Sequence, residues 1–427
     1  GIMAQNFSPR SDTRITVPGA GTNVNGKEVY YGGNKATVMM GRQYLSIERE
    51  RAVLVNVALR DIISVLVGDA NSGGGRSSVT ICYIRMSGAS MCIPQVCDSE
   101  CSMPEAVQLH FDCLEAEALV SDVRKAARLP PTRSNNPARR RRSFAAILNP
   151  ASGNSRSLQV LQDVVIPILS LAGVELTTFF TKAKGDAEKF SRTLKLDTHG
   201  NEFEGLISLG GDGTATEVHS GNMRNLRLPF AVIPVGSDNS LATTLGILTV
   251  VESLLAIIKG PVIAVDVLSL HELPAGSTTI EGPAVIFPMC CVALGVMADA
   301  LVDIERTRWM GKIRTTLVTL KRIVYDGLLM AGPRKYKWTV KYRPRPITAF
   351  SKCTIPDQLP CKVCEGPDVM FETVPWQTIS FEDLAHVTIG THAAKIAHAP
   401  KASLFPPAHH GDGAVELFTV KGNRLWG

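Results

Sequence analysis

Three short runs of small residues mark where this sequence could handle phosphate. The most informative is Gly210-Gly211-Asp212-Gly213-Thr214, which follows the apolar run Ile207-Ser208-Leu209 and leads into a helix-like stretch carrying Glu217 and Val218. Glycines let backbone N–H groups come close to a phosphate, and a helix N-terminus favours negative charge. A carboxylate among them, Asp212, is placed to take a proton from whatever approaches the phosphates. The other two runs are Asn149-Pro150-Ala151-Ser152-Gly153 and Pro234-Val235-Gly236-Ser237-Asp238-Asn239-Ser240. A single glycine-rich turn is as readily structural as functional. Three of them, each following a strand-like run, make a phosphate cradle the stronger reading.

Two other groups could carry chemistry. Cys361 and Cys364 have the short spacing of a zinc knuckle, with Cys353 upstream as a third ligand and His386 or His392 needed as a fourth. Thiols that simply pack are the commoner case. His219, on the helix after Asp212, reads as an orienting or structural histidine rather than a catalyst.

The elements that must position these residues follow from pattern. Ala145–Leu148, Leu158–Leu171, Val174–Phe180, Ala187–Leu194, Gly205–Leu209, a helix after Gly213 and Ala231–Pro234 alternate strand with helix. That alternation is the mark of a parallel sheet with crossover helices, which binds ligands at the carboxyl ends of its strands. The expected fold is therefore multidomain. A flexible lead-in over residues 1–38 precedes a small β domain over 39–128, closed by an amphipathic helix read over Pro104–Ala127. A linker over 129–143 contains Pro130, Pro131, Pro137 and the run Arg139–Arg142, which is either a solvated hinge or a contact for anionic lipid. The α/β nucleotide-binding lobe runs over 144–266, and a mainly antiparallel β lobe with one clear helix, Trp309–Leu329, runs over 267–427.

Composition sets outer bounds. With 427 residues, 45% of them hydrophobic, the chain can build several cores. A balance of 45 Lys+Arg against 39 Asp+Glu gives +6, too mild and too scattered for a nucleic-acid binder. No run of about 18 to 20 uncharged apolar residues exists, so a spanning helix is not expected. Ten irregularly spaced cysteines and a start without a secretory pattern point to the cytoplasmic side, with peripheral association with membranes.

The three turns together resemble the catalytic domain shared by diacylglycerol, sphingosine and ceramide kinases. Gly295-Val296-Met297-Ala298-Asp299, the segment Asp303-Ile304-Glu305-Arg306-Thr307-Arg308-Trp309-Met310-Gly311, and Pro407-Ala408-His409-His410-Gly411-Asp412-Gly413 resemble the ceramide kinase branch most. The resemblance implies phosphorylation of a lipid hydroxyl with ATP and Mg²⁺, Asp212 acting as general base. It implies nucleotide-binding positions at Asn149, Ser152, Gly153, Thr181, Gly210, Gly211, Gly213, Thr214, Glu217, Gly236, Ser237 and Asn239. It implies that Arg308 and Arg314 reach the phosphates from the second lobe, that Gly413 ends the last nucleotide-side motif, and that Asp299 and Asp303 lie near a sphingoid head group. Asp303 and Glu305 read equally as helix-start or salt-bridge residues.

A pleckstrin-homology-like N-terminal domain, a sphingolipid substrate in a membrane and an anionic membrane surface as partners follow from the same resemblance. Where sphingosine kinases carry a second Asp, this chain has Leu301, which favours neutral ceramide over a cationic amine. The sequence departs from the family at Asp238 and Ala414, and the family pattern implies further strands beyond Gly427. Sphingosine or diacylglycerol phosphorylation, and lipid binding without turnover, are the alternatives these residues leave open.

Overall fold

The computed structural model describes residues 26–50, 52–70, 76–85, 104–130, 142–152, 156–195, 202–225, 228–236, 239–260, 262–263, 265–272, 285–289, 291–307, 310, 313–324, 336–342, 375–391, 395–396, 399–403 and 415–421. The chain divides into two compact units, one of residues 1–83 with 107–129 and one of residues 84–106 with 130–427.

The first unit is built on strands β1 (Lys27–Tyr31), β2 (Asn34–Met40), β3 (Tyr44–Arg49), β4 (Ala52–Ala58), β5 (Ile62–Ala70), β6 (Ser77–Arg85) and β7 (Glu105–Cys113), followed by helix α1 (Ala116–Ala126). They form a seven-stranded sheet in the order β4-β3-β2-β1-β7-β6-β5. Every second residue turns inward: Leu45 and Ile47 of β3, Val79 and Ile81 of β6, and Leu109 and Phe111 of β7 are all buried. Helix α1 supplies Ala116, Leu119, Val120 and Val123 to the same core, the spacing of one helical face.

Two expectations are corrected in this unit. β1 and most of β2 lie inside the stretch read as a flexible lead-in. Within it Gly32 and Gly33 form a hairpin turn, both at positive φ between antiparallel strands. The segment read as one helix from Pro104 is a strand and then a helix, because Leu109, Phe111 and Cys113 alternate with period two.

The second unit holds the expected parallel sheet. Strands β8 (Arg142–Leu148), β9 (Val174–Phe180), β10 (Gly205–Gly210) and β11 (Phe230–Pro234) lie in the order β11-β10-β8-β9, all pairs parallel. β10 is buried at every position and β8 at all but its first, which suits strands covered on both faces. Between β8 and β9 run α2 (Ser157–Val160), a π-turn over Leu161–Val165 and α3 (Ile166–Leu171). α4 (Asp186–Thr193) links β9 to β10 and α5 (Asp212–Met223) links β10 to β11. α6 (Ser240–Thr244) and α7 (Val250–Lys259) follow; α7 starts on a capping box in which Thr249 and Glu252 bond each other's backbone N–H.

Arg142, read as part of the basic linker, is the first residue of β8. Its guanidinium pairs with Glu204 at 3.2 Å and donates to the carbonyls of Ile257 and Ile258 at the end of α7. Arg139, Arg140 and Arg141 lie outside the described residues.

The remainder is antiparallel, as expected, but with two helices where one was read. β12 (Cys291–Gly295) leads into α8 (Val296–Arg306) and α9 (Ile313–Val324), then β13 (Tyr336–Tyr342), β14 (Gln377–Gly390), β15 (Lys395–Ile396), β16 (Ala399–Ser403) and β17 (Glu416–Lys421). β14 pairs antiparallel with β12, β13 and β17, and β15 pairs with β16. α8 went unread because its acidic residues stood out as a motif rather than as a helix. Among the described residues no helix is long and apolar enough to cross a membrane.

Behind the sheet edge, His219 of α5 is 6% exposed, its ring 5.5 Å from that of Phe230. Neither ring nitrogen has a partner among the described residues, and burial pushes its pKa down to about 4. An unfolded chain takes up that proton near pH ~6.5. Between those values the unfolded state binds more protons than the folded one, so stability is present above the window and is lost as pH falls through it. The urea midpoint should drop between pH 7 and about 4.5, with up to ~3 kcal/mol of the loss due to this residue. His219→Phe should flatten that part of the profile; an unchanged profile would show that the ring protonates in place.

Candidate active site

The parallel sheet brings the first residues of the three predicted turns, and Thr181, to one edge. Asn149 follows β8 and donates its backbone N–H to Leu209 O at 3.3 Å; Thr181 follows β9 and donates to Leu148 O at 2.9 Å. Gly210 ends β10, and its carbonyl accepts from Val235 N at 3.3 Å, just past the end of β11. These links tie the turns to one another and to the strands beneath.

The turn after β8 is closed from within. Asn149 Oδ1 accepts from Ala151 N at 3.0 Å, Asn149 O accepts from Ser152 N at 3.0 Å, and Ser157 Oγ donates to Asn149 O at 2.8 Å. Past β9, the Asp186 carboxylate accepts from Lys182 N and Ala183 N at 2.8 and 2.9 Å, which hold its pKa below the ordinary carboxylate range. Glu217 of α5 accepts from Gly185 N at 3.0 Å. Glu217 was expected to face nucleotide; here it pins the loop that starts α4.

The turns after β10 and β11 press together. Gly211 and Gly236 meet backbone to backbone: a Cβ on Gly236 would fall on Gly211 Cα and within 2.8 Å of Gly211 N. Asn239 sits at φ 53°, ψ 45°, a left-handed conformation that Asn tolerates better than most residues. Its side chain is 6% exposed and closes a ring, with Oδ1 accepting from Gly236 N at 3.0 Å and Nδ2 donating to Gly236 O at 2.9 Å. Expected as a nucleotide contact, Asn239 has both ends of its amide bonded inside its own loop.

That loop delivers two backbone amides to Asp212, the first residue of α5. Asp212 Oδ2 accepts from Ser240 N at 2.8 Å, and Oδ1 accepts from Leu241 N at 3.0 Å. Both oxygens are thereby oriented by backbone donors. The charge of Asp212 is felt by Cys291 of β12, whose thiol is pushed above its ordinary range by burial first and then by that charge. The sequence offered no sign of this neighbour, 79 positions along the chain. Gly213 differs from Gly210, Gly211 and Gly236: nothing lies within 4 Å of where its Cβ would be, so the protein's own packing does not require glycine there.

The second-lobe candidates fare unevenly. Asp303 of α8 pairs with Arg322 of α9 at 2.7 Å, with Lys321 Nζ at 3.9 Å. This is the ion pairing that the sequence offers beside a lipid-binding role. Asp299, one turn earlier, has its backbone carbonyl near Arg322 at 3.4 Å. Arg314 lies on the first turn of α9.

His386, weighed as a zinc ligand, has both ring nitrogens engaged, Nδ1 with Leu294 O at 2.9 Å and Nε2 with Thr388 Oγ1 at 2.5 Å. Gly153, Ser237, Asp238, Arg308, Cys353, Cys361, Cys364, His392, Gly413 and Ala414 lie outside the described residues. Among the described residues no group of three or more His, Cys, Asp or Glu could hold a metal ion.

Small-residue turns and an oriented carboxylate thus lie at the carboxyl edge of a parallel sheet, the place where open α/β folds bind their ligands. Residues 143–270 match the family model of the diacylglycerol kinase catalytic domain. Sphingoid long-chain bases kinase 1 of Arabidopsis thaliana is 31% identical over 205 residues, covering 46% of this chain and 25% of that protein. Sphingosine kinase 2 of the same plant is 26% identical over 298 residues, covering 66% of this chain and 58% of that protein. Ceramide kinase of Homo sapiens is 23% identical over 320 residues, covering 66% and 55%. The chain thus spans between 25% and 58% of the length of these relatives. The matched domain and these relatives are all named as lipid kinases.

The two kinds of glycine in the site are separable by mutation. Gly236→Ala forces two backbones apart and should lower the urea midpoint by the equivalent of ~1 to 3 kcal/mol. Gly213→Ala meets open space in a helix and should leave the midpoint unchanged or raise it, by at most ~1 kcal/mol. Equal losses in the two variants would show that Gly213 is held by the fold as Gly236 is.

Proposed function

We propose that this chain is an ATP-dependent lipid kinase that phosphorylates the primary hydroxyl of a sphingolipid, ceramide in preference to sphingosine. The observation that carries the reading is the Asp212 carboxylate, held by two backbone amides at the sheet edge where three small-residue turns converge. The open space at Gly213 suits close approach of a nucleotide's phosphates to the first turn of α5. Backbone N–H groups of the first turn of α5, at Gly213 and Thr214, which a helix leaves without intrahelical partners, would hold them. Mg²⁺ in such a site would be held chiefly by the phosphates and water, because it keeps several waters and needs few protein ligands. When bound, ATP supplies the γ-phosphoryl group and Mg²⁺ offsets its charge.

The chain's own part is to position and to accept. The lipid hydroxyl gives its proton to Asp212 as its oxygen bonds to phosphorus and the bond to the departing ADP breaks. The amides of Ser240 and Leu241 keep the carboxylate facing the reacting oxygen.

Substrate choice rests on α8. A site for a cationic amine should supply more than one carboxylate, because an ammonium taken from water is costly unless paired. At the two matched positions this helix has Asp299 and Leu301, the latter 54% exposed, and Asp303 is already paired with Arg322. One acid suits the neutral amide of ceramide. In this reading the β domain of the first unit is pleckstrin-homology-like, and the protein works on the cytoplasmic face of a membrane.

Transfer of labelled phosphate from ATP to ceramide, sphingosine and diacylglycerol in mixed micelles tests the proposal. Ceramide should be labelled fastest, and Asp212→Asn should reduce turnover by ~10²- to 10⁴-fold, with circular dichroism used to confirm that the variant folds, because its amide oxygen can accept only one of the two backbone N–H bonds. Equal or faster labelling of sphingosine would overturn the ceramide preference. Absence of any labelled lipid would overturn the kinase reading, and an Asp212→Asn variant keeping more than about a third of wild-type turnover would remove Asp212 as base.

A further inference from the structure

Asn239 sits one residue before the amides that hold Asp212, and it makes no contact with that carboxylate among the bonds described above. Its influence is through geometry. The left-handed turn at φ 53° aims Ser240 N and Leu241 N at Asp212. The two bonds from its amide to Gly236 N and O keep that turn from relaxing. A non-glycine residue left-handed costs on the order of 1 kcal/mol or more, so without the ring the backbone would tend to leave this conformation. The ring is itself clamped, since Gly236 abuts Gly211, the residue before Asp212.

We propose that Asn239 is a positioning residue for the catalytic carboxylate rather than a nucleotide ligand. Its side chain fixes the two amides that orient Asp212 and favour its charged form. The inference rests on the lipid-kinase reading for its kinetic test but has a second readout that does not. A carboxylate that accepts backbone N–H bonds is stabilised as the anion, so loosening the amides makes Asp212 easier to protonate.

The other titratable groups nearby do not mimic that signal. Cys291 faces Asp212 from β12 and titrates above its ordinary range. On α5 itself, Glu217 is bonded to Gly185 N, and His219 lies two turns away beside Phe230. Neither α6 nor β11 carries an ionisable side chain.

The test uses the full chain, Asn239→Ala and Asn239→Gly, with circular dichroism to confirm folding. Asn239→Gly accepts the left-handed turn without strain but lacks the ring, so it separates lost tethering from backbone strain and keeps the test usable should the alanine variant not fold. In the lipid kinase assay, kcat should fall about tenfold or more in Asn239→Ala, and less in Asn239→Gly, with KM for ATP within about twofold of wild type. A raised KM for ATP with kcat unchanged would make Asn239 a nucleotide ligand and overturn the proposal. Unchanged values for both would overturn it too.

The second readout is the carboxyl ¹³C titration of Asp212, assigned by its loss in Asp212→Asn. Its midpoint should move up by about one pH unit in Asn239→Ala. Should the wild type phosphorylate no lipid, the kinase reading fails while this shift still supports the positioning role. Identical midpoints in wild type and both variants overturn the positioning role whether or not the kinase reading stands.

Discussion

The second unit turns on one charged hydrogen-bonded contact: the Asp212 carboxylate at the start of α5 accepting the backbone N–H groups at the start of α6. Two adjacent strand-to-helix units are locked by it, β10 with α5 and β11 with α6. Hydrogen bonds to an ionised acceptor are roughly twice as strong as neutral ones, and here both donors are backbone groups that cannot swing away. The lock is possible only because the neighbouring turns have no side chains between them at Gly211 and Gly236. The small residues serve the protein's own closure before they serve any ligand.

Around that contact the remaining polar groups act as ties. Asn149 closes its own turn, Glu217 reaches across to Gly185, and Arg142 joins the start of β8 to Glu204 and to the end of α7. Each satisfies backbone or charged groups that would otherwise be left at the edge of a buried sheet. In the second lobe, Asp303 does the same between α8 and α9. Several residues singled out as ligand contacts thus hold the frame, and fewer groups are left to meet a ligand than the motifs alone suggest.

The legible parts of the sequence were those set by local pattern. The alternation of strand and helix from Ala145 to Pro234 was readable because buried parallel strands are short apolar runs and crossover helices have period 3.6. The phosphate-type turns were readable because glycine after a strand is chemically conspicuous. Local texture also misled. Gly32 and Gly33 looked like flexible lead-in although they turn a hairpin, and α8 was hidden by its acidic residues. The pairing of Asp303 with Arg322, of Asp212 with Ser240 and Leu241, and the approach of Cys291 to Asp212 join residues 19 or more positions apart. No local rule connects such residues, because their meeting is decided by topology.

β14 draws these distant parts together. Its first half, Gln377–Leu384, pairs with β13, and its second half pairs with β12 on one side and β17 on the other, placing Cys291 opposite Gly390. Among the described residues β12, which carries Cys291, therefore meets its ladder partners only once synthesis has reached His386 to Gly390 of β14. Closing a loop of that size must be paid in entropy before any strand contact returns it, and high contact order slows folding. During synthesis the α/β lobe can settle on its own local crossovers while the antiparallel lobe waits for its shared strand. The side of the site facing Cys291 is thus completed late, and an unpaired β12 is the stretch that a nascent chain would need shielded in the interval.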